Sequence, residues 1–164
     1  IVVVSGTTYA AFVWRSENID ISGRSDCFVI DYTKGTDILN GELELGSAYT
    51  DGLSSTVKAK LSDTCNIENA VGTLYLNTDD ITSDYLITNK IIRYQVLEDG
   101  NPVSSGTINN KGITNIYENI EVTRTEKTYT VYIWMSITDA NDNNLSNIMS
   151  SSYSGAIGLK AESR

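Results

Sequence analysis

The sequence predicts an all-β chain: an antiparallel β-sandwich with one or two short helical turns. Three observations carry that expectation. Apolar residues recur at every second position in most of the hydrophobic stretches, the period of a pleated strand. An Asp-Gly pair separates two such stretches, the signal of a tight hairpin. The chain also holds ten tyrosines and a single proline, a composition that suits strands.

Taken in chain order, "TVKAKL" presents Val57, Ala59 and Leu61, and "VGTLYLNT" presents Val71, Leu74 and Leu76 as its apolar positions. "DDITSDYLITNK" breaks the alternation. Ile81, Tyr85 and Leu86 stand at helical spacing behind aspartates able to cap a helix start, so a short helix or an irregular crossover is expected there. "KIIRYQVLEDGNPVSSGTI" reads as a hairpin about Asp99-Gly100, with Pro102 just past the turn, where a missing backbone donor is tolerated. "TNIYENIEVT" supplies a strand through Ile116, Ile120 and Val122.

"KTYTVYIWMSI" is the clearest strand. It puts Tyr129, Val131, Ile133 and Met135 on one face and Thr130, Tyr132 and Trp134 on the other, which predicts a central strand covered on both sides. "TDANDNNLSNIMSSS" reads as a polar loop with a helical turn around Leu145, Ile148 and Met149. "SYSGAIGLKAES" alternates small and apolar residues and is expected to close a sheet edge. The count comes to about eight or nine short strands at hairpin spacing, as in a sandwich.

Composition narrows the function classes. The chain of 164 residues suits one domain, and its 40% apolar content supports a real core. A net charge of -9, with twelve Lys and Arg and no basic stripe, argues against nucleic acid and against anionic lipid as partners. The sequence contains no histidine, so the usual general base and the commonest zinc ligand are both missing. No Gly-rich loop leads into a lysine to cradle a nucleotide phosphate. The expectation is a protein that is not an enzyme and carries no cofactor. A carboxylate pair acting on a sugar is the remaining enzymatic route.

Individual residues suggest sites. Cys27 and Cys65 share a Ser-Asp lead-in, and outside a reducing compartment they most simply form one disulfide, contributing on the order of 3–4 kcal/mol. Two buried thiols or an intermolecular link are the other options. Asp139, Asn141 and Asn143 alternate as calcium ligands do, but Asn144 and Ser150 occupy positions where a calcium loop wants Gly and Glu, so a solvated turn explains them better. Asp79, Asp80 and Asp84 suit a cation or a helix start. Tyr132 and Trp134 share a face able to stack on a sugar. Lys34 and Lys58 are conceivable isopeptide donors, and Asn144 begins an N-glycosylation acceptor pattern.

The first fourteen residues, "IVVVSGTTYAAFVW", combine an aliphatic run with small residues, as at the end of a secretory signal and its cleavage zone. Four aliphatics fall far short of the ~20 residues a membrane-spanning helix needs. "SGTTYAAF" followed by a strand resembles the signal-to-mature junction of TasA/camelysin-type secreted proteins of Gram-positive bacteria, where a Gly-Thr-Xaa-Ala-Xaa-Phe-like string ends the signal. "YTVYIWMSITDANDNNLSNIMSSSYSGAIGLKAES" likewise resembles the closing strand, polar loop and final strand of small proteins in that group. The likeness covers the two ends of the chain and leaves the middle unmatched. The metalloprotease-like label sometimes given to that family finds no support in a chain without histidine.

The resemblance implies an exported, jelly-roll-like sandwich at the cell surface whose copies polymerise head to tail by donating an N-terminal strand. Physically, a sheet edge with unpaired backbone groups accepts an extended segment, and donation that does not close yields a filament. On this reading residues 1–13 form an N-terminal apolar segment and residues 14–164 a single domain. Val2, Val4, Tyr9, Ala11 and Val13 would face the acceptor. The other possibilities are that residues 8–21 form the domain's own first strand, or that the start is a membrane stub. A monomeric adhesin or carbohydrate-binding module is the alternative function.

Overall fold

A computed structural model describes residues 27–32, 38–43, 45–81, 83–139, 145–148 and 151–163. The expected donor residues Val2, Val4, Tyr9, Ala11 and Val13 lie outside the described residues, as do Lys34, Asn141, Asn143 and Asn144.

Ten strands form among the described residues: β1 (Phe28–Tyr32), β2 (Ile38–Glu42), β3 (Leu45–Gly46), β4 (Leu53–Leu61), β5 (Ala70–Ile81), β6 (Ile92–Glu98), β7 (Asn101–Thr107), β8 (Gly112–Val122), β9 (Lys127–Ser136) and β10 (Ser152–Ser163). Two short helices, α1 (Asp84–Thr88) and α2 (Leu145–Ile148), complete the inventory with 3-10 turns at Tyr49–Asp51 and Ile137–Asp139. The strands make a six-stranded sheet ordered β1-β4-β9-β6-β7, with β3 added beside β9, and a four-stranded sheet ordered β2-β10-β5-β8. The fold is therefore the all-β sandwich that the alternation predicts.

Connections depart from the expected run of hairpins. β6 and β7 form a true hairpin, and Asp99 and Gly100 at its tip both have positive φ, 48° and 84°, as a two-residue turn of matching twist requires. The links from β5 to β6, β7 to β8, β8 to β9 and β9 to β10 instead cross from one sheet to the other. Such crossings make the sandwich jelly-roll-like, and they use the same short spacings as hairpins. One pairing is parallel: β3 sets Leu45 and Gly46 beside Met135 and Ser136. β4 covers β9 from Lys127 to Ile133 on that same side, so the two strands share one flank of β9. Gly52 makes this possible, because a Cβ there would fall 2.1 Å from the Ile133 carbonyl oxygen.

Between the sheets lies one apolar cluster. Val57, Leu61, Val131, Ile133 and Ile92 from the larger sheet meet Leu74, Leu76, Ile120, Ile157 and Leu159 from the smaller. All are essentially closed to solvent, each contributing roughly 1.5–3 kcal/mol relative to exposure. Leu86 of α1 and Ile148 of α2 close one part of the cluster.

Three readings need correction. The final strand does not close an edge, for β10 lies between β2 and β5, and its small residues are what let it fit there. A Cβ on Gly158 would sit 2.2 Å from the Tyr75 ring, and one on Gly155 would sit 2.7 Å from the Asn77 carbonyl oxygen and the Tyr153 hydroxyl. Val71 is not on the core face of β5. Ala70, Gly72, Leu74, Leu76 and Thr78 point inward, and Val71 takes the opposite parity. Asp79, Asp80 and Ile81 continue β5 instead of opening a helix, and Ser83 stands at the N-cap of α1. Pro102, by contrast, sits on the outermost strand of its sheet, as its missing donor demands.

Candidate functional surfaces

β9 sets the first surface. Its inner positions are buried, while Thr130, Tyr132 and Trp134 stand on the outer face, half-buried. Their cover comes from the 3-10 turn before β4. The Tyr49 ring meets Tyr132 edge-on at 5.1 Å and Trp134 at 6.4 Å, both at 60°. Cross-strand neighbours of the two rings on β9 are polar: Ser54 and Gln95 lie opposite Tyr132, and Arg93 lies opposite Trp134. A Thr56–Thr130 hydroxyl pair at 3.1 Å continues the polar row. Sequence reading found Tyr132 and Trp134 but missed Tyr49, whose irregular surroundings give no periodic signal.

The disulfide forms between Cys27 and Cys65. It ties the start of β1 to the crossing between β4 and β5, and both half-cystines are buried. The Ser62 N–H donates to the Cys27 carbonyl at 2.7 Å, and an Arg124 guanidinium N–H donates to the Cys65 carbonyl at 2.9 Å. Among the described residues there is no free cysteine.

A cluster of ionisable groups brackets the β6–β7 turn. The Lys127 ammonium reaches Glu98 at 2.7 Å, and the Tyr117 hydroxyl donates to the other Glu98 oxygen at 3.4 Å. The hydrogen bond to Glu98 holds the Lys127 pKa above its ordinary value. Burial, then the Glu98 charge, pushes the Tyr117 and Tyr129 hydroxyls upward. The Thr128 N–H donates to the Asp99 carboxylate at 2.9 Å. The arrangement locks the turn against β9.

At the far end of the smaller sheet, Asp80 and Asp84 do converge, but on a lysine. Lys111 lies 3.1 Å from Asp80 and 3.5 Å from Asp84, so an ammonium occupies the position where a cation had been conceivable. The Lys111 hydrogen bond, helped by the Ile81 N–H, lowers the Asp80 pKa. Asp139 ends a 3-10 turn. Among the described residues no group of three or more His, Cys, Asp or Glu side chains gathers as a metal site. Lys58 pairs with Glu126 at 3.3 Å with both side chains largely in solvent, unlike the buried setting an isopeptide link needs.

Sheet edges form the last surface. Among the described residues, β1 and β7 bound the larger sheet, and β2 and β8 bound the smaller. At one seam the Ser104 hydroxyl of β7 donates to the Ile116 carbonyl of β8, stitching the two sheets together. No helix among the described residues is long and apolar enough to cross a membrane.

No protein-family model matches the chain, and no curated protein matches it. Among solved structures the chain is similar to the PA14 domain of the antifreeze protein MpAFP. That likeness has 9% identity over 90% of this chain and 72% of the other, with a TM-score of 0.32.

Proposed function

We propose that this chain is a structural subunit of an extracellular filament, pilus-like or biofilm-matrix in character, in which the leading segment of one copy pairs with a sheet edge of the next. The observation that carries the reading is that, among the described residues, both sheets are open. Four outer strands of the described part present backbone edges, where a closed barrel would present none. An extended segment with Val2, Val4, Tyr9, Ala11 and Val13 at strand positions is the chemistry such an edge accepts. Secretion accords with the disulfide, which persists in oxidising surroundings.

Deleting residues 1–13 should abolish filaments under electron microscopy and leave a folded, soluble protein that no longer polymerises. Filaments of unchanged length and number would refute strand donation.

The trio of Tyr49, Tyr132 and Trp134 favours a second reading, a surface module that stacks its rings on sugar. A Trp134→Ala variant would then lose retention on a polysaccharide matrix while its thermal midpoint stays within a few degrees of wild type. Equal retention of both proteins removes this reading.

A further inference from the structure

The four outer strands are not equivalent. β1 contains Asp31, β2 ends in Glu42, and β8 contains Glu118 and Glu121. β7 reads "NPVSSGT" and carries no charge at all. β8 is further protected by left-handed Asn119 and two register shifts against β5, devices that spoil strand addition. In β7 the one register shift and Pro102 are both confined to the turn end. From Ser104 to Thr107 the strand runs in unbroken register with Val96 to Arg93.

Backbone direction follows from one bond. The Ile108 N–H donates to the Ile92 carbonyl, so even-numbered residues of this stretch aim their backbone groups at β6. Ser105 and Thr107 therefore aim theirs away from the sheet. Val103 and Ser105 are also solvent-exposed, Val103 at 37%. The result is a short, neutral and regular edge with its hydrogen-bonding groups turned outward.

We propose that β7 is a contact between two copies of this chain, paired antiparallel about a two-fold axis at Ser105. The strand is complementary to itself. Ser105 falls opposite Ser105 of the partner subunit, and Ser104 falls opposite Gly106 of the partner subunit. Charge selects this edge over the others. Two copies each at -9 repel, and like charges placed directly opposite across strands destabilise a pairing. β7 is the outer strand that brings two copies together with no charge of its own apposed. The pairing would join two six-stranded sheets into one continuous sheet and close a pair, as an isologous contact does. It goes beyond the filament reading and leaves β1 and β2 to the leading segment.

The test uses the full chain carrying Ser105→Cys. A hydrogen-bonded antiparallel pair sets opposing Cα atoms about 5.5 Å apart, inside the range that a disulfide bridges. Mild oxidation should yield a covalent dimer on non-reducing gels, with the Cys27–Cys65 link intact by peptide mapping. Glu118→Cys on β8 should give no covalent dimer on the same gels. Ser105→Lys should weaken dimerisation about fivefold or more by sedimentation, with the thermal midpoint essentially unchanged. A Ser105→Cys chain that stays monomeric, or a wild-type chain that sediments as monomer at every concentration, overturns the proposal. In the Val4→Cys, Ser105→Cys double variant, links between positions 4 and 105 in place of 105–105 links would also overturn it, assigning this edge to the leading segment. Loss of filaments on deleting residues 1–13 tests strand donation separately, because that deletion leaves β7 intact.

Discussion

The two sheets solve the same packing problem differently. In the six-stranded sheet β9 pairs with β4 and β6 in unbroken register, and branched side chains alternate strictly inward. The four-stranded sheet is irregular, with β5 shifting register twice against β8 and once against β10. Its middle strands alternate small residues with rings instead. Tyr75 lies over Gly158 with the Lys160 ammonium 5.8 Å from the ring, and the Tyr153 hydroxyl bonds the Thr78 hydroxyl at 2.8 Å inside the core. The larger sheet rests mainly on alternation, with Gly106 beside Tyr94 as a small-against-ring pair of its own. The other depends on particular residue pairs, so single substitutions should expose the contrast.

The largest expected effect comes from the link that anchors the first strand of the regular sheet to the crossing between sheets. Replacing Cys27 and Cys65 by Ser opens a loop of sequence separation 38. Loop-closure entropy puts the loss at about 4 kcal/mol, read as a shift in urea midpoint. A shift below about 1 kcal/mol would mean that the strand pairing of β1 with β4 holds the end unaided.

Alkaline pH probes the irregular sheet next. Burial raises the Tyr153 pKa to about 12, outweighing the opposing Thr78 hydrogen bond. Between pH 10 and 12 the unfolded chain therefore releases this proton while the folded chain keeps it, and stability falls as pH rises. The contribution is about 2–3 kcal/mol across that window. Tyr153→Phe should make the decline measured by urea titration from pH 9 to 12 shallower, with Tyr117 and Tyr129, whose pKa values burial also raises, accounting for the remainder. An unchanged slope would place the titrating groups elsewhere.

Glycines give the smaller effects. Gly158→Ala forces a methyl into the Tyr75 ring and should cost about 1–3 kcal/mol. Gly100→Ala meets nothing within 4 Å, so its cost reduces to the left-handed backbone, about 1 kcal/mol. Equal midpoints for the two variants would erase the distinction between a packed glycine and a turn glycine.

Legibility in the sequence followed the same division. β9, β4, β8 and the Asp99-Gly100 hairpin were readable because alternation and turn chemistry are local. Cys27 and Cys65 paired as their isolation in the chain suggested. The place of β10 was not readable. A run of small residues looks like an edge until one sees that Tyr75 and Tyr153 fill the space beside its glycines. Val71 misled because Ala70 and Gly72, which do point inward, look less apolar than it does. Lys111 and Tyr49 were missed for a common reason. Each acts across a distance in sequence that no periodicity encodes, Lys111 on Asp80 and Tyr49 on Tyr132.

The most direct test of strand donation is cross-linking mass spectrometry on filaments grown from an equal mixture of unlabelled and 15N-labelled chains. The account predicts that links from residues 1–13 to β1 or β2 join light to heavy peptides, the mark of contact between copies. Links confined to peptides of one label would place the leading segment on its own domain and contradict it.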